Sequence, residues 1–179
     1  MIRLFTALSL PEEVAEGLAR RQTGLPGAAW RTAAQLHLTL AFYGGIDERR
    51  ADDLSVELER AAAGGPFEIE LSGVGAFGDG HRTRAVWAGV ASSERLSVLA
   101  GRCRSAAERA GIALEHREYR PHVTLAYLGS EADPGRVGRW IADHNLLRSP
   151  PFRVERFGLY SSILARSGSR YDLEREYRL

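Results

Sequence analysis

Two tetrapeptides hold the residues best suited to chemistry. His37-Leu38-Thr39-Leu40 and His122-Val123-Thr124-Leu125 share one pattern, His-apolar-Thr-Leu. On an extended strand, residues two apart project from the same face, so each copy presents an imidazole and a hydroxyl while its apolar residues enter a core. An unperturbed histidine titrates near pH ~6.5. Around neutrality one imidazole can take a proton from an attacking water or hydroxyl, and a second, protonated, can give one to a leaving oxygen. Threonine hydroxyls can donate to non-bridging phosphate oxygens, whose charge changes in the transition state. Two such pairs facing each other suit phosphodiester chemistry, and the scheme calls for no cofactor or metal.

Those strands need a frame. Ile2–Leu8 reads as a buried strand. A helix capped by Ser9 follows, with Pro11 in its first turn, Glu12 and Glu13 at the positive end of its dipole, and Val14 and Leu18 in its apolar stripe. Residues 24–27 read as a loop. Residues 36–43 alternate with strand period, and Gly44-Gly45 ends them. Residues 47–63 form a helix with acids early and Gly64-Gly65 as its stop. Residues 67–71 read as one strand, 73–83 as a glycine-rich loop and 84–90 as a further strand.

The order then returns. A helix over 92–110 ends at Gly111, a short strand covers 112–115, and a strand over 122–128 ends at Gly129. A helix opened by Asp133-Pro134 runs to about Leu147, and a strand spans 152–160. Strand, helix, loop, strand, helix, strand thus occurs in residues 2–72 and again in 84–160, with a C-terminal strand over 170–179 left over. A duplicated pair of lobes facing each other across a cleft, within a single domain over 1–179, is the expectation. The two His-Thr pairs then meet in that cleft.

Composition narrows the field. The 179 residues are 44% apolar and 26% charged, ordinary for a soluble globular protein. The 24 basic and 23 acidic residues leave a net charge of +1, so no global field draws nucleic acid or a membrane surface. Every basic residue is arginine, which excludes lysine Schiff-base chemistry and a P-loop lysine. The single cysteine, Cys103, forms no internal disulfide and suits a reducing compartment. The apolar run Ile2–Leu10 is too short for a signal peptide or a membrane span, so a cytoplasmic location is expected.

Other signals are set aside. Gly73-Val74-Gly75-Ala76-Phe77-Gly78 matches GxGxxG, but no helix follows it, so it reads as a hairpin loop and not a dinucleotide site. His81, His116 and His144 have no metal-ligand spacing among themselves or with Cys103. His81 and His144 read as solvated, and His116 as a residue near the cleft. Trp30, Trp87 and Trp140 read as packing. Arg148, Arg153 and Arg156 form either a local basic patch or a mixed solvated face.

The paired HxTL motifs resemble the 2H phosphoesterase superfamily. The surrounding segments are similar to its RNA 2′,3′-cyclic phosphodiesterases, also called 2′-5′ RNA ligases. These segments are RLFTALSLP, WRTAAQLHLTLAFYG, GAFGDGHRTRAVWAGV, YRPHVTLAYLG and VERFGLYSSILARSGSRYDLEREYRL, and they span the chain. The resemblance implies a bilobal α+β fold with two antiparallel sheets and outer helices around a central cleft. It implies hydrolysis of an RNA 2′,3′-cyclic phosphate to a 2′-phosphomonoester, and its reversal, in which a 5′-hydroxyl makes a 2′-5′ linkage. By the same resemblance His37 is the proton donor to the 3′-oxygen and His122 the proton acceptor. Thr39 and Thr124 hold the phosphate, and Arg120, two before His122, adds a charge-assisted contact.

The chain departs from the family's usual pattern at Ala41, where a basic residue is common, at Gly45, where Glu is common, and at Tyr127, where Arg is common. These changes spare the catalytic quartet and bear on RNA contact and base preference. Tyr43 shares strand parity with His37 and Thr39, which makes it a candidate to stack on a base. The implied partner is RNA with a 2′,3′-cyclic phosphate end, tRNA fragments among them, met by a monomer without a membrane. Two alternatives stand beside this: a nucleotide-binding module without turnover, and a 2H enzyme acting on a small cyclic nucleotide. A substrate panel separates them.

Overall fold

The computed structural model describes residues 1–79, 82–165 and 168–179. The first half runs β1 (Ile2–Ser9), α1 (Glu12–Ala19), β2 (Ala29–Trp30), a 3-10 turn (Ala33–Gln35), β3 (His37–Ile46), α2 (Glu48–Ala61), β4 (Phe67–Ile69) and β5 (Leu71–Asp79). The second runs β6 (Arg82–Val90), α3 (Glu94–Arg109), β7 (His122–Tyr127), α4 (Pro134–His144), β8 (Phe152–Val154) and β9 (Arg156–Ala165), and β10 (Gly168–Arg178) follows. Apart from β2 and the turn, the halves repeat one order, and the α+β class holds.

Two antiparallel sheets form. The larger has the order β10-β9-β1-β3-β7-β6-β5 with β2 on β7, and β4 pairs with β8 in the smaller. The last strand of each half crosses to the first strand of the other: β9 lies beside β1, and β5 beside β6. At the centre β3 and β7 meet through one residue pair, Leu38 opposite Val123. The halves are therefore joined edge to edge in one eight-stranded sheet, with that pair on the pseudo-two-fold axis.

Local chemistry sets three helix starts. Asp47, Ser93 and Asp133 accept hydrogen bonds from the backbone N–H groups of Arg50, Leu96 and Gly135, first-turn donors that a helix leaves unpaired. Ser9 does not cap α1. It is the last residue of β1, paired opposite His37, and Pro11 takes the N-cap position with no side-chain bond.

Further boundaries differ from expectation. β3 does not stop at Gly44-Gly45: Gly44 adopts φ 71° at a bulge, where β1 pairs Phe5 with Phe42 and Leu4 with Gly44, so the ladder continues to Ile46. The strands read over 67–71 and 152–160 each split in two, because their first three residues pair with each other as β4 and β8 while the rest join the large sheet. Of the residues 73–83 read as loop, 73–79 belong to β5 and 82–83 to β6, while 80–81, with His81, lie outside the described residues. Residues 112–115 form no strand.

The core sits on the face of β3 and β7 opposite the histidines. Leu38, Leu40, Val123 and Leu125 are at most 2% exposed. Leu54 and Leu58 of α2 and Leu96, Ala100 and Cys103 of α3 join the same cluster. Burying each leucine or valine of this set contributes roughly 1.5–3 kcal/mol, which ties the register of β3 and β7 to the hydrophobic core.

Candidate active site

The central pair fixes the site. In an antiparallel ladder with Leu38 opposite Val123, the next residues outward are His37 with Thr124 and Thr39 with His122. Leu38 and Val123 are fully buried, so these four side chains share the other face. Each histidine thus has one threonine two residues along its own strand and another across the joint.

Both imidazoles are oriented the same way. His37 Nδ1 donates to the carbonyl of Gln35 at 2.8 Å, and His122 Nδ1 donates to the carbonyl of Arg120 at 2.6 Å. In the neutral tautomer this leaves Nε2 as the basic nitrogen of each ring. Aromatic rings wall both. Phe5 and Tyr171 lie 5.1 and 5.0 Å from His37 between ring centroids, and Phe77 and Trp87 lie 4.7 and 6.2 Å from His122.

These walls lower both pKa values. Burial is the largest cause for His37, opposed by the bond to Gln35 and reinforced by the charges of Arg31 and His122. Burial also lowers His122, opposed by its bond to Arg120.

The walls also explain the glycine pattern in β5. A Cβ on Gly75 would meet the Trp87 ring at 2.4 Å, and one on Gly78 would meet the Arg82 carbonyl at 2.1 Å. Gly75 and Gly78 of this GxGxxG serve the close packing of a hairpin.

Tyr43 does not reach this face. β1 pairs Thr6 with Ala41 and Ala7 with Thr39, so Leu40 is an extra residue that shifts the alternation by one. Tyr43 points into the core at 5% exposure. Its hydroxyl meets Thr6 at 2.9 Å and donates to the Cys103 carbonyl at 3.4 Å. Phe42 takes the open face instead, 51% exposed. β7 repeats the device: Leu125 is the extra residue against β6, and Tyr127 is 50% exposed. Phe42 and Tyr127 are thus equivalent positions, and period-two counting does not find Phe42 because it does not register a bulge.

Thr39 and His122, from opposite halves, line one cleft of about 820 Å³ together with Phe42, Phe77, Arg84 and Arg120. Arg120 is in place, but its Nε and Nη2 both reach Glu118 at 3.2 Å. That exposed ion pair is worth at most ~1 kcal/mol, so a phosphate can displace it. Tyr119 donates to the Thr39 carbonyl at 3.2 Å and links the two halves beside the cleft.

The remaining candidates lie elsewhere. His144 stacks on Trp140 at 4.5 Å and bonds to its carbonyl, so it is half-buried packing and not a solvated residue. His116 is exposed and does not line the cleft. Arg148, Arg153 and Arg156 are paired with Glu70, Glu155 and Glu176, which makes a mixed face. Cys103 is buried in α3, and burial pushes its thiol up to about 12. Among the described residues no three His, Cys, Asp or Glu side chains converge as metal ligands. No helix among them is long and apolar enough to cross a membrane.

A duplicated α+β fold with two His-x-Thr pairs meeting at its joint defines a class, and the sequence model of the 2′-5′ RNA ligase superfamily matches residues 10–164. The chain belongs to that superfamily. It is 35% identical over 175 residues to an RNA 2′,3′-cyclic phosphodiesterase of Escherichia coli (strain K12), covering 94% of this chain and 92% of the relative. It is 30% identical over 177 residues to an RNA 2′,3′-cyclic phosphodiesterase of Thermotoga maritima, covering 95% and 91%. Among solved structures it is similar to E. coli LigT complexed with 3′-AMP, with a TM-score of 0.80, 32% identity and coverage of 99% and 98%. A crystal structure of a phosphoesterase gives a TM-score of 0.81 at 29% identity, covering 100% and 99%.

Proposed function

We propose that this protein hydrolyses RNA 2′,3′-cyclic phosphate ends to 2′-phosphomonoesters by paired histidine acid–base catalysis. The observation that carries the proposal is the register of Leu38 against Val123, which places two imidazoles and two hydroxyls on one face. Relatives named RNA 2′,3′-cyclic phosphodiesterase over nearly the whole chain support the substrate. On this reading the chain acts as one domain over 1–179, as a monomer in the cytoplasm, on RNA ends such as those of tRNA fragments.

The chemistry follows from the groups. Nε2 of His122 takes a proton from water as its oxygen attacks phosphorus. The bond from phosphorus to O3′ breaks, and Nε2–H of His37 gives O3′ its proton. Thr39, Thr124 and Arg120 donate to the non-bridging oxygens as charge shifts onto them. Acid and base are both side chains of this protein, so the scheme needs no metal. With a 5′-hydroxyl in place of water, the same transfers form a 2′-5′ linkage.

Burial lowers the pKa of both imidazoles, so both are neutral more readily than a free histidine before substrate binds. A panel of an RNA 2′,3′-cyclic phosphate, a 2′,3′-cyclic mononucleotide and a 3′,5′-cyclic mononucleotide tests the function. Turnover of the RNA end to a 2′-phosphate is expected; binding of nucleotides without turnover of any of the three would overturn it.

A further inference from the structure

We propose that Arg31 is a phosphate-binding residue on the His37 side of the site; the identity of its ligand rests on the phosphoesterase reading above. Arg31 is only 8% exposed, yet among the described residues no carboxylate pairs with it. Its guanidinium Nη2 donates to the Tyr171 hydroxyl at 3.0 Å. The rings of Tyr127 and Tyr171 stand 5.5 and 5.7 Å from its Cζ. These partners are neutral. They orient the guanidinium plane and leave its charge uncancelled, and a buried cation without a counter-charge is costly.

The same tyrosine ties Arg31 to the catalytic face. The Tyr171 ring meets His37 edge-on at 5.0 Å while its hydroxyl takes the Arg31 N–H. Arg31 is close enough for its charge to lower the pKa of His37. Arg120, a cation on the His122 side, is exposed and already paired with Glu118. Arg31 is held by stacking, lacks a carboxylate partner and has Nε and Nη1 without a protein acceptor among the described residues. A planar fork of donors in that state matches two phosphate oxygens. A phosphate bound there cancels the charge that the fold otherwise leaves open.

Calorimetric titration of inorganic phosphate and of adenosine 2′-monophosphate into wild type and Arg31→Met tests this. Affinity for both ligands is expected to fall at least tenfold, and NMR titration is expected to show the His37 pKa rising while that of His122 stays. A folded Arg31→Met protein that binds both ligands within twofold of wild type would overturn the proposal. Arg31→Lys covers the case in which Arg31→Met does not fold. It keeps the charge without the fork, so a threefold or greater loss of phosphate affinity supports the proposal, and unchanged affinity overturns it. Binding is read without turnover. A wild type that binds phosphate through Arg31 but leaves RNA intact contradicts the proposed function alone; one that cleaves RNA, with phosphate affinity indifferent to Arg31, contradicts this inference alone.

Discussion

Leu38 and Val123 form the one backbone pair that joins β3 to β7, and both are fully buried. Every residue of the proposed quartet is next to one of them in sequence. The pair therefore acts as a pivot: hydrophobic burial below it sets the register, and the register sets His37 beside Thr124 and Thr39 beside His122 above it. Each half contributes one imidazole and one hydroxyl to this face, so the four groups come together only where the halves meet.

The threonines are expected to act on the transition state. Thr39→Val and Thr124→Val keep the side-chain shape and remove one donor each. Each should lower kcat by up to about 10²–10³-fold, with stability changed by no more than about 1 kcal/mol. Steady-state kinetics beside denaturant melts checks this; a loss of stability that accounts for the lost activity would make the threonines structural.

The pH dependence follows from burial. Both histidines have pKa values below the ordinary one. Below pH ~6.5 the unfolded chain therefore binds more protons than the folded one. The stability tied to these groups is complete above that pH and is lost as pH falls through the folded values. The urea midpoint should be level just above neutrality and drop on acidification, with a shallower drop in the double variant His37→Asn/His122→Asn. The profile of kcat/KM should be a bell whose apparent pKa values belong to the pair. An acid limb of stability unchanged in the double variant would contradict the account.

Base contact should depend on Phe42 and not on Tyr43. Stacking on an aromatic ring is worth about 1–3 kcal/mol per base, so Phe42→Ala should raise KM for a short RNA by roughly five- to 150-fold. Tyr43→Phe should leave KM alone and cost about 1 kcal/mol, because the Thr6 hydroxyl loses its buried partner. The opposite pattern in KM would show that the bulge at Leu40 does not govern the face.

The acid and the base can be told apart with a leaving group that needs no proton. A substrate carrying sulfur in place of O3′ departs as a thiolate. Activity lost through removal of the donor should return on that substrate, and activity lost through removal of the acceptor should not. Rescue of His37→Ala supports His37 as donor; rescue of His122→Ala in its place would exchange the roles.

Much of this architecture is legible in the residues, and the failures share a cause. The duplicated order, the helix start at Asp133-Pro134 and the His-Thr parity are local: each follows from spacing of three or four residues or of two. The facing of Tyr43 is not local. It depends on Leu40 being one residue too many against β1, a property of two strands at once. The split of 67–71 into β4 and β5 depends on β8, which lies far along the chain. The aromatic wall of His37 comes from Phe5 and from Tyr171 of β10, and the cation beside it from Arg31, none of which has a spacing that points to His37. Arg120 lines the cleft with His122, but its pairing with Glu118 appears only once the loop is folded.

The most direct test follows a short RNA with a 2′,3′-cyclic phosphate end by phosphorus NMR, in excess EDTA, with wild type, His37→Ala and His122→Ala. Wild type should yield a 2′-phosphomonoester, and each variant should stay folded and lose at least about 10²-fold in rate. Turnover by either folded variant at the wild-type rate, or a wild-type reaction abolished by EDTA, would contradict paired histidine catalysis.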